Sequence, residues 1–479
     1  MTDAVAHGSF DVVIIGAGVV GAAAARRLAR EGARVAVLEK ALEPLDGASK
    51  GNSAILHTGF DAPVGSLEQQ CVAQGRDIFL TIREDLGLPL HETGAFVLAW
   101  SEDEAEKLSA LLNQAHMNGV SDAEMVPRKN ILSAEPNLSD RVVAGFRVPG
   151  EHIIDPWSTP YAYLTEALSI GAQLFRNCEV LSGAWDGTDW TITTSTGTLK
   201  AGAIVNCAGL FGDVVEQRLL GAKTLTIKPR KGQFVVFDKA AARLVRSILL
   251  PVPTERTKGV VLCPTIFGNV LVGPTAEEQE SRTDASVDTE TLRQLHHIAV
   301  TMVPALKHCE VTAHYAGIRP ATERKEYRIT ARPEQRYVHL GGIRSTGLSS
   351  ALGLAEHLVA THGDALGLAR SSHVTATQAP LSPSPQLSDY HPRDYMKAGN
   401  GGVVCHCELV TRRDIETALN HPIPPRTLAG LKRRTRVCMG RCQGFYCLAN
   451  VAALTEGRLD EPVVAEGRSA EEALEQHHV

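Results

Sequence analysis

The run Gly16-Ala-Gly18-Val-Val-Gly21 constrains this chain more than any other feature of its sequence. It follows Phe10–Ile15, a short apolar β-branched run that reads as a buried strand. It precedes a segment rich in Ala, Leu and Arg, residues 22–31, that reads as a helix ended by Gly32. Residues 34–39 form the next strand, and Glu39 ends it 23 residues after Gly16. A lone GxGxxG is weak, but this strand–turn–helix–strand context makes it a dinucleotide-binding fingerprint. Gly16 allows the tight turn, Gly18 lets backbone approach a pyrophosphate, and Gly21 permits close helix–strand packing. The helix N-terminus then faces the phosphates, and Glu39 is expected to accept hydrogen bonds from the adenosine ribose. The plain alternative is a glycine-rich turn in an α/β protein.

The chain has 479 residues, room for two to four domains at about 100–200 residues each. With 48 basic and 54 acidic residues the formal charge is −6, which argues against nucleic acid as the main partner. The start, MTDAVAHGSF, has no basic stretch before an apolar one, so no signal peptide is expected. No apolar run is long enough for a transmembrane helix. A cytoplasmic protein is expected, and peripheral association with the inner face of the membrane stays compatible with that.

Beyond the fingerprint the pattern changes. Residues 101–117 read as a helix, and residues 94–99, 232–237, 259–263 and 269–272 as short antiparallel strands. Residues 203–207 and 337–342 are further strands, and residues 350–361 a helix. The expected fold is α/β: a Rossmann-like dinucleotide domain with an inserted antiparallel-sheet substrate domain (α+β). The expected boundaries are 1–90, 150–225 and 331–370 for the dinucleotide domain and 91–149 with 226–330 for the substrate domain. A Pro- and Ser-rich linker, 371–400, leads to a small domain at 401–460 and a tail at 461–479.

No second GxGxxG follows a later strand, as a protein holding both a flavin and NAD in two such sites would usually show. One such site, an inserted antiparallel domain and a late element, residues 341–350, together suit FAD. That late element would set a helix N-terminus against the negative charge of a reduced isoalloxazine.

Five segments carry a likeness: GNSAILHTGF (51–60), NCAGL (206–210), KGVVLCPT (258–265), GIRP (317–320) and GIRSTGL (342–348). Through them the first 370 residues resemble the D-amino-acid-oxidase-type FAD superfamily, and within it the anaerobic glycerol-3-phosphate dehydrogenase large subunits. The resemblance implies FAD and hydride removal from a secondary alcohol carbon, or from an amine in more distant relatives. It sets Lys40, Ser49, Asn52, Ser53, Ala208 and Gly209 along the cofactor, and Gly342, Arg344, Ser345, Thr346, Gly347 and Leu348 as the late element beside it. His57 falls where a histidine faces the ring. Imidazole titrates in the range a base for alcohol oxidation needs; the alternative is a histidine that only orients flavin or loop. Arg319 is the expected anion clamp, since guanidinium binds phosphate or carboxylate bidentately. Lys258 and Lys231 are weaker expectations for the same anion.

Ten cysteines are split unevenly: five lie in the first 404 residues and five in the last 75. Cys405 and Cys407, then Cys442 and Cys447, make a CxC…CxxxxC pattern that suits a metal site. Zinc more typically shows CxxC knuckles; four thiolates also ligate a [2Fe–2S] cluster. The segment resembles the bacterioferritin-associated ferredoxin domain, a small helical domain, which implies those four cysteines as ligands of a [2Fe–2S] cluster. Cys438 falls outside that pattern. Thr411 reads as the N-cap of a helix ending at Leu419, with Asp414 in its first turn. The basic stretch 432–436 reads as a docking patch for an acidic partner or as a solvated loop.

Together these parts predict an FAD-dependent dehydrogenase subunit that oxidises a small anionic hydroxy compound, glycerol 3-phosphate-like or a hydroxy acid. Electrons would leave through the cluster to other subunits of an electron-transfer complex, a second flavoprotein among them, or to a quinone-linked acceptor. The alternatives are an amino or imino acid dehydrogenase, an oxidase using O₂, and a non-catalytic redox subunit.

Overall fold

The computed structural model describes residues 8–253, 259–368, 385–461 and 463. They divide into two compact units, one of residues 8–368 with 388–391, the other of residues 385–387 with 392 onward.

The larger unit is built on two sheets. In the first, five strands run parallel: Gln173–Arg176, Val35–Glu39, Ser9–Ile15, Gly197–Asn206 and Tyr337–Gly341, in that spatial order. Strands buried on both faces need continuous apolar runs, and Val12, Val13, Ile14, Val35 and Ala36 have no or almost no exposed surface. An antiparallel hairpin, Val180–Trp185 with Trp190–Thr194, extends from the N-terminal half of Gly197–Asn206. The glycine fingerprint lies at the carboxyl end of the central strand, where open α/β sheets bind ligands. Gly16 has φ +103°, and a β-carbon there would stand 2.6 Å from the Cys207 carbonyl oxygen. A β-carbon on Gly21 would stand 1.9 Å from the Gly16 carbonyl oxygen, so the helix Val19–Arg30 rests directly on the turn. Gly21→Ala is therefore expected to cost at least about 1–3 kcal/mol. Retained melting temperature and full flavin content in that variant would count against this packing.

The second sheet has nine strands, drawn from residues 95–148 and 227–322, and is mostly antiparallel. Its longest pair is Ile227–Phe237 with Val311–Thr322. The second of these strands escaped the sequence reading, because Gly317 and Pro320 are strand-breaking signals inside it. Helix Thr289–Met302 covers one face, with Leu295, Ala299 and Met302 joining Phe237, Val270 and Val272 in a core cluster.

The smaller unit pairs Val403–Cys405 with Val410–Thr411 and adds helices Arg412–Leu419, Leu428–Thr435 and Leu448–Thr455. Thr411 caps the first helix as expected: its hydroxyl accepts from the Asp414 N–H, and the Asp414 carboxylate accepts from the Thr411 N–H. Such a cap contributes about 1 kcal/mol, much in a unit whose core is Val410, Ile415, Leu431, Val437, Val451 and the thiols. The expected linker residues 371–384 and most of the tail lie outside the described residues. No helix among the described residues is long and apolar enough to cross a membrane.

Candidate active site and thiol cluster

A cavity of about 1250 Å³ runs from the glycine turn to the face of the second sheet. Ordinary ligand pockets measure about 300–1,000 Å³, so it has room for a dinucleotide and a small substrate. Gly16, Gly18, Glu39, Lys40, Ser49, Asn52 and Ser53 line it, as do Ala208, Gly209, Gly342, Arg344, Ser345, Gly347 and Leu348. Two expected cofactor residues do not line it. Gly21 lies beneath the turn. Thr346 turns into the protein, where its hydroxyl donates to Glu68 at 2.8 Å and meets the Tyr327 hydroxyl at 2.6 Å.

The residues present fit FAD. The Glu39 carboxylate accepts the Ala17 and Ala41 N–H groups, both at 2.9 Å. Burial pushes its carboxyl above the usual range, and those two N–H groups pull it back. It is thereby held at the strand end, where a ribose would meet it. The Lys40 ammonium lies 3.1 Å from the centre of the Phe211 ring. The Val19 N–H at the helix start donates to Ser49 Oγ at 3.0 Å.

His57 and Arg319 both line the cavity. The His57 N–H donates to Ser349 Oγ, and that hydroxyl donates to the Ile55 carbonyl, which ties the histidine to helix Gly347–His362. His57 Nδ1 stands 2.8 Å from Glu151, whose side chain is fully buried. The other Glu151 oxygen accepts the Thr58 N–H and hydroxyl. An ionised carboxylate only accepts, so a hydrogen bond at this distance puts the imidazole proton on Nδ1 and leaves Nε2 without one. Sequence reasoning missed Glu151, which is 94 residues away from His57, and no spacing signal joins the two.

Arg319 lies directly opposite Arg230 in the pairing of the two long strands. Both line the cavity, and so does Arg344. Like charges at directly opposed positions are destabilising. Burial, then the Arg230 and Arg344 charges, push the Arg319 guanidinium down to about 10. Its hydrogen bonds go to the Thr275 carbonyl at 3.2 and 3.3 Å, while Arg230 pairs with Glu278 at 3.2 Å. The expectation for Lys231 is corrected. It follows Arg230 on the same strand, successive side chains take opposite faces, and Lys231 is absent from the cavity wall. Lys258 lies outside the described residues.

In the smaller unit Cys405, Cys407, Cys442 and Cys447 come together, as does Cys438. Cys407 shares a thiol hydrogen bond with Cys442, and Cys447 shares one with Cys438 and another with Cys405. The Tyr446 N–H, with those of Gly444 and Phe445, holds the Cys442 thiol below its usual range. A donor set of cysteine thiols fits a [2Fe–2S] cluster, which four cysteine thiolates ligate. Cys438 Sγ lies 3.4 Å from Cys447 Sγ.

The basic stretch 432–436 is neither docking patch nor solvated loop. Arg433, Arg434 and Arg436 are buried. Arg436 pairs with buried Glu408 at 2.7 Å, and Arg434 donates to the Ile423 and Gly430 carbonyls. Inside the unit Arg434 thus serves a loop and a helix carbonyl, and Arg436 a buried carboxylate.

Residues 11–361 match the family described as FAD dependent oxidoreductase, and residues 403–456 the BFD-like [2Fe-2S] binding domain. A glycerol 3-phosphate dehydrogenase of Caloramator mitchellensis is 31% identical over 92% of this chain and 93% of its own. A glycerol 3-phosphate oxidase of Mycoplasma pneumoniae is 31% identical over 73% of this chain and 93% of its own. The solved structure of L-alpha-glycerophosphate oxidase from Mycoplasma pneumoniae, with FAD bound, superposes with TM-score 0.70 at 26% identity. It covers 78% of this chain and 97% of that one. The strand-end glycine turn, the large cavity beside it and the paired thiols thus belong to one lineage: the chain is a member of the FAD dependent oxidoreductase family, an FAD-dependent dehydrogenase carrying a C-terminal [2Fe–2S] domain.

Proposed function

We propose that this protein oxidises the secondary alcohol of a small anionic hydroxy compound, with glycerol 3-phosphate as first choice. The observation that carries the reading is the Arg230–Arg319 cross-strand pair with Arg344 on the same cavity wall. Three guanidiniums gathered on one recessed surface leave net positive charge there even with Glu278 on Arg230, and a phosphate or carboxylate accepts their fork geometry. Alcohol oxidation also releases a proton, and His57 Nε2, oriented through Nδ1 by Glu151, is the base that takes it. Bound FAD supplies the two-electron acceptor, and the sequence-assigned cofactor residues that line the cavity, all but Gly21 and Thr346, would hold it. Residues 91–149 and 226–330 would form the substrate domain.

Electrons would leave singly through a cluster held by Cys405, Cys407, Cys442 and Cys447, to partner subunits or a quinone-linked acceptor. Anaerobic addition of glycerol 3-phosphate to the purified protein is expected to bleach the flavin absorbance and raise a reduced-cluster EPR signal. Bleaching by an L-2-hydroxy acid instead would move the reading to that substrate class, and bleaching by amino acids alone would overturn it. Rapid reoxidation by air with stoichiometric peroxide, and no EPR signal, would make the protein an oxidase.

A further inference from the structure

We propose that Cys438 is a fifth ligand position of the iron–sulfur site, able to take the place of Cys447 on iron. The two sulfurs are 3.4 Å apart, and both side chains are buried, 3% and 1% exposed. The Cys438 backbone N–H already faces the sulfurs of Cys405 and Cys447, so this residue forms part of the wall around them. Its backbone has φ +61°, in the left-handed region that favours glycine. A cysteine therefore occupies a position where the backbone itself prefers no side chain, and its thiol meets a ligand sulfur.

The other thiol pair is different. Cys407 and Cys442 are half-exposed, whereas Cys438 and Cys447 are buried. The 3.4 Å contact of Cys438 is with Cys447, and that contact puts the exchange on the Cys447 side. In the exchange one iron–sulfur bond breaks and one forms. The Cys438 thiol gives up its proton as it binds, and the departing Cys447 thiolate takes a proton up. Iron, sulfide and oxidation states are unchanged, so no oxidant or reductant is required. The bland alternative is that Cys438 only fills space in the small core.

The test uses the full chain, reconstituted anaerobically with ferrous iron and sulfide. Iron and sulfide per chain, visible absorbance and the EPR spectrum after dithionite are read. Wild type must load; an empty wild type would defeat the cluster assignment itself, a separate failure. Cys447→Ser is expected to keep roughly half or more of the wild-type iron, with shifted EPR g values. Cys442→Ser, and Cys438→Gly with Cys447→Ser, are expected to keep less than about a tenth.

Cys438→Gly alone suits the backbone and should load fully, but release iron to a chelator roughly 3-fold or more faster than wild type. The proposal is overturned if Cys447→Ser is as empty as Cys442→Ser while far-UV circular dichroism and bound FAD are unchanged. If Cys447→Ser does not fold, iron release from Cys438→Gly at the wild-type rate overturns it.

Discussion

Arg319→Ala is expected to lower kcat/KM for the anionic substrate roughly 30- to 4,000-fold, because truncating one partner of a buried charge pair costs about 2–5 kcal/mol. Most of the loss should fall in KM, since the guanidinium holds the anion equally before and during the reaction. Arg319→Lys should recover only part of it: a lysine brings the charge without the planar fork. A second readout separates clamp from scaffold. Arg319 faces Arg230 across the strand pair and is crowded by Arg344. Removing it relieves repulsion, so Arg319→Ala should melt at or above the wild-type temperature when no anion is present. Inorganic phosphate should raise the melting temperature of wild type and leave the variant unmoved. An unchanged KM in a folded Arg319→Ala protein would remove this arginine from substrate binding.

Glu151→Gln should lower kcat roughly 10²–10⁴-fold, the usual worth of a positioned base. Gln keeps the size of Glu, so the buried site remains filled, and the Thr58 donors keep an oxygen. What changes is the group 2.8 Å from His57 Nδ1. A carboxylate only accepts, whereas an amide nitrogen there donates, reversing the tautomer and placing the proton on Nε2. The imidazole then cannot take the substrate proton. His57→Ala should cost as much, and the double variant little more than either, because the two residues act as one unit. Additive losses would mean that Glu151 acts elsewhere. Flavin content should be unchanged in Glu151→Gln, since Glu151 does not line the cavity.

How much of this was legible beforehand follows the range of each interaction. The glycine turn, its flanking strands and Glu39 lie within about 30 residues, and local periodicity exposes them. The Thr411 cap was equally visible, because its partner is three residues away. The thiol pattern was recognisable because CxC and CxxxxC spacings are local even though the two halves are 34 residues apart.

Arg319 was recognised only through likeness to a family, and the strand that carries it was hidden by its own Gly317 and Pro320. Lys231 was only a weak expectation for the anion against an ordinary surface lysine, and strand alternation sends it to the face opposite Arg230. The basic run 432–436 looked like surface because charge usually is. Only the fold shows Glu408 and the helix carbonyls waiting inside for those guanidiniums.

By itself, then, the sequence determined the dinucleotide turn, the division into flavoenzyme and thiol domain, and the ligand spacing, because all three are written in contacts between near neighbours. Tertiary structure alone decided that Glu151 holds His57, that Arg230 faces Arg319, and that Cys438 touches Cys447. The first two join residues 94 and 89 positions apart, and pairing register or loop closure sets such contacts. The third joins residues only nine apart, but a left-handed backbone turn at Cys438 aims its sulfur inward, and residue spacing carries no record of that angle.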